Sequence, residues 1–92
     1  MTAMLNPVDS ASFKRDVARM QKRNKDMTKL RKLVLLLIKE TPLPAAYKDH
    51  PLKGDYAGYR DVHIESDWVL IYGIRGNDLY LYRTGSHADI LE

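Results

Sequence analysis

Apolar residues recur at helical spacing in the first half of this chain and at strand spacing in the second. Phe13, Val17 and Met20 stand at i, i+4 and i+7, one stripe of a helix otherwise rich in basic residues. Asp9 or Ser10 can cap it, because a short side-chain oxygen accepts from the first free backbone N–H groups. A second helix begins near Asp26 or Thr28. Leu30, Leu33, Val34, Leu37 and Ile38 form its stripe, which Leu35 and Leu36 widen. Thr41-Pro-Leu-Pro44 stops it, since proline disfavours helix at the preceding residue and cannot donate.

Beyond Pro44 the period changes. Pro51 to Gly58, with two glycines, reads as loop. From Arg60 the residues alternate, Val62 and Ile64 facing one way and Asp61, His63 and Glu65 the other. Trp68-Val-Leu-Ile-Tyr72 is the continuous apolar run of a central strand, Arg75-Gly-Asn-Asp78 is a hairpin turn, and Leu79 to Arg83 returns. Thr2 to Val8 suits a short edge strand that Pro7 limits. No internal repeat or low-complexity segment interrupts this order. The expected architecture is α+β, two N-terminal helices on one face of an antiparallel sheet of three to four strands. With Val62 and Ile64 under the helices, Asp61 and His63 project from the opposite, open face, and Tyr80 and Tyr82 share it by the same alternation.

Composition narrows the setting. Ninety-two residues make one domain, spanning 1–92. Without cysteine, disulfides and thiolate metal sites are excluded, and a reducing cytoplasm is the expected location. The run Leu33 to Ile38 is too short to cross a bilayer, and Met1-Thr-Ala-Met-Leu-Asn-Pro lacks the basic and apolar parts of a leader, so no membrane role is expected. Net charge is +3, but unevenly spread. Residues 13–32 hold nine of the fifteen Lys and Arg against Asp16 and Asp26, leaving that segment at +7 and the rest at −4. Such a block is either a polyanion footprint or a solvated helix face.

All three histidines, His50, His63 and His87, fall in the strand-rich half beside Asp61, Asp67, Arg60 and Arg83. RNA can be cut without metal when a base takes the 2′-hydroxyl proton, an acid protonates the leaving 5′-oxygen and cations stabilise the phosphorane. Histidine serves the first two roles, having a pKa of about 6.5. Arginine serves the third, its planar fork matching phosphate oxygens. Asp61 or Asp67 can orient an imidazole. Bland readings stand beside these: each histidine alone suits a surface role, His87 can simply begin a terminal turn, and the arginines can pair with Asp61 and Asp67. Three histidines with Asp67 could also hold a metal, but no pair has helical ligand spacing, and neither metal nor cofactor is expected.

Tyr47-Lys-Asp-His-Pro-Leu-Lys-Gly54, Gly58-Tyr-Arg-Asp-Val-His-Ile-Glu-Ser-Asp-Trp-Val-Leu-Ile-Tyr72 and Arg83-Thr-Gly-Ser-His87 closely resemble the YafQ toxins, of the RelE-like branch of bacterial toxin–antitoxin systems. Gln21 to Met27 resembles the family's first-helix ending, so the likeness spans about residues 13–91. The resemblance implies a RelE-like fold and a ribosome-dependent endoribonuclease that cuts mRNA in the decoding site of the 70S ribosome. It implies 2′-hydroxyl attack giving a cyclic phosphate without metal, and neutralisation by a DinJ-like antitoxin. By motif match His50, His63, Asp67 and His87 take the catalytic positions, with Asp61 supporting. His87 is then the general acid and His50 or His63 the base. Arg83 is then the phosphate clamp; the residue chemistry adds Arg60 for phosphate, and the charge block sets the basic helices to dock on ribosomal RNA.

One departure stands out. The family usually ends His-x-x-Leu-Phe, whereas this chain ends His87-Ala-Asp-Ile-Leu-Glu92 and sets Leu91 in the aromatic place. Leucine keeps apolar contact with RNA but loses stacking worth roughly 1–3 kcal/mol per base, so altered activity or codon preference is expected. Two other readings use the same features: a non-catalytic module that occupies the ribosome or an RNA, and a gyrase-poisoning toxin, which needs no acid–base trio.

Overall fold

The computed structural model describes residues 4–90. In chain order these form β1 (Asn6–Asp9), α1 (Ala11–Lys22), α2 (Met27–Ile38), β2 (His50–Pro51), β3 (Arg60–Glu65), β4 (Trp68–Arg75), β5 (Asp78–Gly85) and α3 (His87–Ile90). Both long helices lie where the apolar stripes predict. Ser10 caps α1 through its Oγ, which accepts from the Phe13 N–H at 2.9 Å, and Asp26 caps α2 by accepting from the Thr28 N–H at 3.0 Å.

Their C-termini are decided locally rather than by proline. Asn24 and Glu40 adopt left-handed φ of 59° and 53°. After α1, the N–H groups of Asn24 and Lys25 return to the carbonyls of Gln21 and Met20; after α2, those of Glu40 and Thr41 return to Leu37 and Leu36. This paired pattern is a Schellman cap. Accordingly α2 ends at Ile38, before Pro42 can act.

The sheet has five strands in the order β1-β5-β4-β3-β2, more than the three or four expected. It is mixed, not wholly antiparallel, because β1 pairs parallel with β5. The edge strand expected over Thr2 to Val8 is seen as Asn6–Asp9, and residues 2 and 3 lie outside the described part. The second addition is β2, whose two residues pair with β3 and extend the sheet into the segment read as loop.

Alternation sorts the two faces as predicted. On the helix side Val62, Trp68, Leu70, Tyr72, Leu79 and Leu81 pack against Phe13, Met20, Leu30, Leu33 and Leu37. The opposite face is not fully open. Val69 and Ile71 are completely buried there beneath Ile90 and the partly buried Leu52, Tyr56, Tyr59 and Tyr82. That second layer explains why Trp68 to Tyr72 is apolar on both sides of the strand.

Two β-bulges shape the region near the histidines. Ile64 is the extra residue on β3, between the pairs His63↔Val69 and Glu65↔Trp68, and Tyr82 is the extra residue on β5. Bulges bend a strand and re-aim its side chains. Beyond the second bulge, Asp16 of α1 meets the sheet. Its buried carboxylate accepts from Arg83 Nε at 2.6 Å, Arg83 Nη2 at 3.2 Å and the Thr84 N–H at 3.1 Å. Thr84 Oγ1 in turn accepts from Trp68 Nε1 at 2.9 Å and donates to the Val69 carbonyl at 2.8 Å. Asp16→Ala strands the Arg83 guanidinium and a buried N–H, and should cost about 3 kcal/mol of unfolding free energy. A lower urea midpoint at unchanged slope is the expected record. A loss below about 0.5 kcal/mol would show that the network adds nothing.

Candidate active site

Three strands and a terminal turn gather the titratable side chains. Register sets His50 of β2 opposite Asp61 of β3. Pleating then places His63 on the same face as Asp61. Strand β5 runs through Gly85 and Ser86 into α3, whose first residue is His87. The ring centroids of His50 and His63 are 6.4 Å apart, and those of His63 and His87 are 5.4 Å apart. His63 is therefore the middle of one histidine cluster, with a side chain 18% exposed, against 50% for His50 and 42% for His87.

Asp61 lies among these rings and is buried. Its Oδ2 is 3.5 Å from His50 Nε2 and 4.0 Å from His63 Nε2. Its Oδ1 has no hydrogen-bond partner among the described residues. A buried carboxylate oxygen without a donor is costly, and such exceptions mark strain, chemistry or a ligand. His50 Nδ1 lies 2.8 Å from the Lys48 carbonyl. A carbonyl only accepts, so Nδ1 carries the hydrogen and Nε2 is the nitrogen left to exchange a proton. Asp67, in the β3–β4 turn, is largely exposed and stands beyond His87. Its Oδ1 is 3.4 Å from the His87 N–H nitrogen and 3.5 Å from His87 Nδ1, a loose acceptor on that ring.

The arginines are committed differently from either pairing left open by the sequence. Arg60 Nε donates to Asp49 at 3.0 Å, and Asp49 also accepts from the Tyr72 hydroxyl at 2.9 Å. Burial, reinforced by that hydrogen bond to Asp49, pushes the Tyr72 phenol above its ordinary range. Arg83 is taken by Asp16, not Asp67. Two aspartates that sequence reasoning passed over thus hold the two candidate phosphate ligands. Asp16 carried a signal: it sits at i+3 from Phe13, within the apolar stripe, where a carboxylate must find a partner. Asp49 carried none beyond its place beside His50.

Other expected features fall into place on the same face. Tyr80 and Tyr82 do share it, and Tyr59 joins them, stacked on Tyr82 with centroids 5.0 Å apart. Leu91 lies outside the described residues. The basic block is partly engaged inside the fold. Lys25 and Lys29 both donate to Glu65, at 3.1 and 2.9 Å, and hold its carboxyl below the usual carboxylate range. Arg23 forms a bidentate pair with Asp89, and Arg19 approaches Asp16 and Asp89. Lys14, Arg15, Lys22, Arg31 and Lys32 have no ion-pair partner among the described residues. Asp61, His63 and His87 also offer three ligand atoms within 4.8 Å of one another, a grouping that could close on one metal ion. Among the described residues no helix is long and apolar enough to cross a membrane.

Comparison with known proteins places this geometry. The family model for the bacterial toxin YafQ of type II toxin–antitoxin systems matches residues 5–92. The chain is 55% identical over 80 residues to the mRNA interferase toxin YafQ of Escherichia coli K12, an alignment covering 86% of this chain and 87% of that protein. It superposes on the toxin in the crystal structure of the E. coli DinJ–YafQ toxin–antitoxin complex with a TM-score of 0.89 at 48% identity, covering 97% of this chain and 99% of that one. A metal-bound toxin from Helicobacter pylori aligns with a TM-score of 0.89 at 39% identity, covering 95% and 99%. The chain belongs to the YafQ family of bacterial toxins of type II toxin–antitoxin systems.

Proposed function

We propose that this toxin is an endoribonuclease that cuts mRNA in the ribosomal decoding site by acid–base catalysis without a metal, and that a DinJ-like antitoxin neutralises it. Relatives named mRNA interferase and DinJ–YafQ complex support the enzyme class and the partner. The observation that carries the mechanism is the meeting of His50, His63 and His87 around the buried Asp61.

In this reading His50 or His63 takes the proton of the 2′-hydroxyl as that oxygen attacks phosphorus. The P–O5′ bond breaks and His87 gives a proton to the leaving oxygen, so the products are a 2′,3′-cyclic phosphate and a 5′-hydroxyl. Asp61 offers its carboxylate to the rings of the base side, and Asp67 orients His87. Arg60, set by its pairing with Tyr72 on the opposite side of β3 from His63, offers its terminal guanidinium nitrogens to a neighbouring phosphate of the RNA. Arg83 has one terminal nitrogen outside its pairing with Asp16 for the same purpose. Leu91 supplies an apolar contact to RNA.

The ribosome requirement follows from weak substrate grip. The five basic side chains of α1 and α2 without an ion-pair partner among the described residues neutralise phosphates without reading sequence, which gives affinity for ribosomal RNA. The acid–base rings choose no base either.

His87→Ala should keep the fold and lower ribosomal cleavage by roughly 10²–10⁴-fold, the usual share of a positioned proton donor. Mapping the 5′ ends of mRNA in ribosome extracts reads it. New codon-phased ends from the unaltered chain identify an enzyme, whereas translational arrest without them identifies a non-catalytic binder. Replacing Lys14, Arg15 and Lys22 together by alanine should weaken ribosome binding and flatten its salt dependence by about 0.7–0.9 for each phosphate no longer neutralised. Its single-turnover cleavage rate at saturation should stay near normal; a fall in that rate at full occupancy would remove the docking role.

A second reading concerns the metal grouping, which the metal-bound relative from H. pylori favours. An ion held by Asp61, His63 and His87 would occupy the imidazole lone pairs needed for proton transfer, so it acts as an inhibitor. Zinc should bind with one-to-one stoichiometry by calorimetry and suppress cleavage reversibly, while EDTA leaves the activity of the untreated protein unchanged. Cleavage that rises with zinc or is abolished by EDTA overturns the metal-free mechanism.

A further inference from the structure

We propose that Asp89 and Arg23 form a clamp that positions His87, so that the end of α1 sets the geometry of the catalytic face. This rests on the reading of His87 as the proton donor. The starting point is that α3 has four residues, His87–Ile90, too few to hold a helical turn by its own backbone bonds. The contacts of the His87 side chain with Asp67 are long, at 3.5 Å, and the ring is 42% exposed. Its place is therefore inherited from the backbone that carries it.

That backbone is tied down mainly through the Asp89 carboxylate, the His87 N–H making only the longer 3.4 Å bond to Asp67 Oδ1. Ser86 and Asp89 make a reciprocal cap: the Ser86 N–H donates to Asp89 Oδ2 at 3.1 Å, and the Asp89 N–H donates to Ser86 Oγ at 3.1 Å. The same carboxylate then accepts both arms of the Arg23 fork, Nη1 to Oδ2 at 2.7 Å and Nη2 to Oδ1 at 3.2 Å. Two parallel charge-assisted bonds fix direction as well as distance, which a lysine in that place would not do. Arg23 is itself fixed as the C-cap of α1, its N–H returning to the Arg19 carbonyl. Gly85 leaves the space that Asp89 occupies, since a Cβ there would lie 3.1 Å from Asp89 Oδ2 and 3.2 Å from Asp89 Cβ. On the far side Ile90 is buried against Val69 and Ile71, and the Tyr56 hydroxyl donates to the Ile90 carbonyl at 3.3 Å. Asp89 and Ile90 thus hold the turn from two directions, and only Asp89 reaches a helix. Arg23 is consequently a positioning residue, although it belongs to the basic block that resembles an RNA footprint.

The two roles of Arg23 predict opposite kinetics. Single-turnover cleavage on programmed ribosomes, measured at several toxin concentrations, separates rate at saturation from apparent affinity. Asp89→Ala and Arg23→Ala should each lower the saturated rate by roughly 10- to 100-fold, the usual cost of a misplaced catalytic group, with affinity changed less than about twofold. The double variant should be no slower than the slower single, and Arg23→Lys should recover part of the rate. Backbone 15N relaxation supplies a readout free of cleavage: in both single variants the amides of residues 86–90 should gain fast motion while those of β3 and β4 stay unchanged. Multiplying losses in the double variant, weakened affinity at a normal saturated rate, or unaltered amides at 86–90 would each overturn the clamp. If the unaltered chain makes no cuts, the nuclease reading fails, and the relaxation data alone decide whether Asp89 and Arg23 order the His87 turn.

Discussion

A single buried carboxylate joins the helical layer to the histidine-bearing end of the sheet. Asp16 projects from α1 into the interior, where an ionised oxygen without donors would be prohibitive. Three donors from Arg83 and Thr84 meet it, and Thr84 passes the connection to Trp68 and Val69. The arrangement must form as a unit, since removing any member leaves a polar group stranded in apolar surroundings. It also specifies register. Trp68 to Tyr72 is apolar throughout and would tolerate a slip, but only one alignment of β4 with β5 brings Thr84 beneath both Trp68 and Asp16.

The histidines and Asp61 lie on the other side of that sheet. Alternation along β3 sends Val62 to the helices and Asp61 and His63 to the opposite face, so one strand carries core on one side and the candidate site on the other. The face is only partly open. The Leu52–Tyr59 loop and α3 cover Val69 and Ile71, and this small second core brings β2, β3 and α3 to one place. The β2–β3 register sets His50 beside the Asp61 carboxylate, and the burial of Ile90 in this core brings α3 and His87 to it. Asp61 is the cost of the assembly, with an oxygen left unpaired among the described residues.

The cations show how one composition feature divides into two physical roles. Four of the nine basic residues between 13 and 32 meet carboxylates of the fold: Arg19 and Arg23 towards Asp89, Lys25 and Lys29 on Glu65. The acidic excess of the second half is partly their counterpart. Lys14, Arg15, Lys22, Arg31 and Lys32 are left without an ion-pair partner among the described residues, a smaller set than the charge count suggests.

Much was legible in the residue order because it depends on period and local chemistry. Helical stripes located α1 and α2, Ser10 and Asp26 announced their caps, and alternation predicted which side of β3 carries His63. The motif string also pointed to the right family. What the sequence could not determine is who meets whom across the fold. Left-handed turns at Asn24 and Glu40, residues with no glycine to announce them, end the helices. A parallel β1 and a two-residue β2 complete the sheet, though neither is long enough to show a period. The partners of Arg60 and Arg83 lay out of reach for the same reason: Asp49 and Asp16 are 11 and 67 residues away in sequence, and nothing in the residue order selects them over other carboxylates. Periodicity follows from the backbone's own geometry, so a chain displays it unaided; pairing of charges follows from burial, which exists only after the layers have closed.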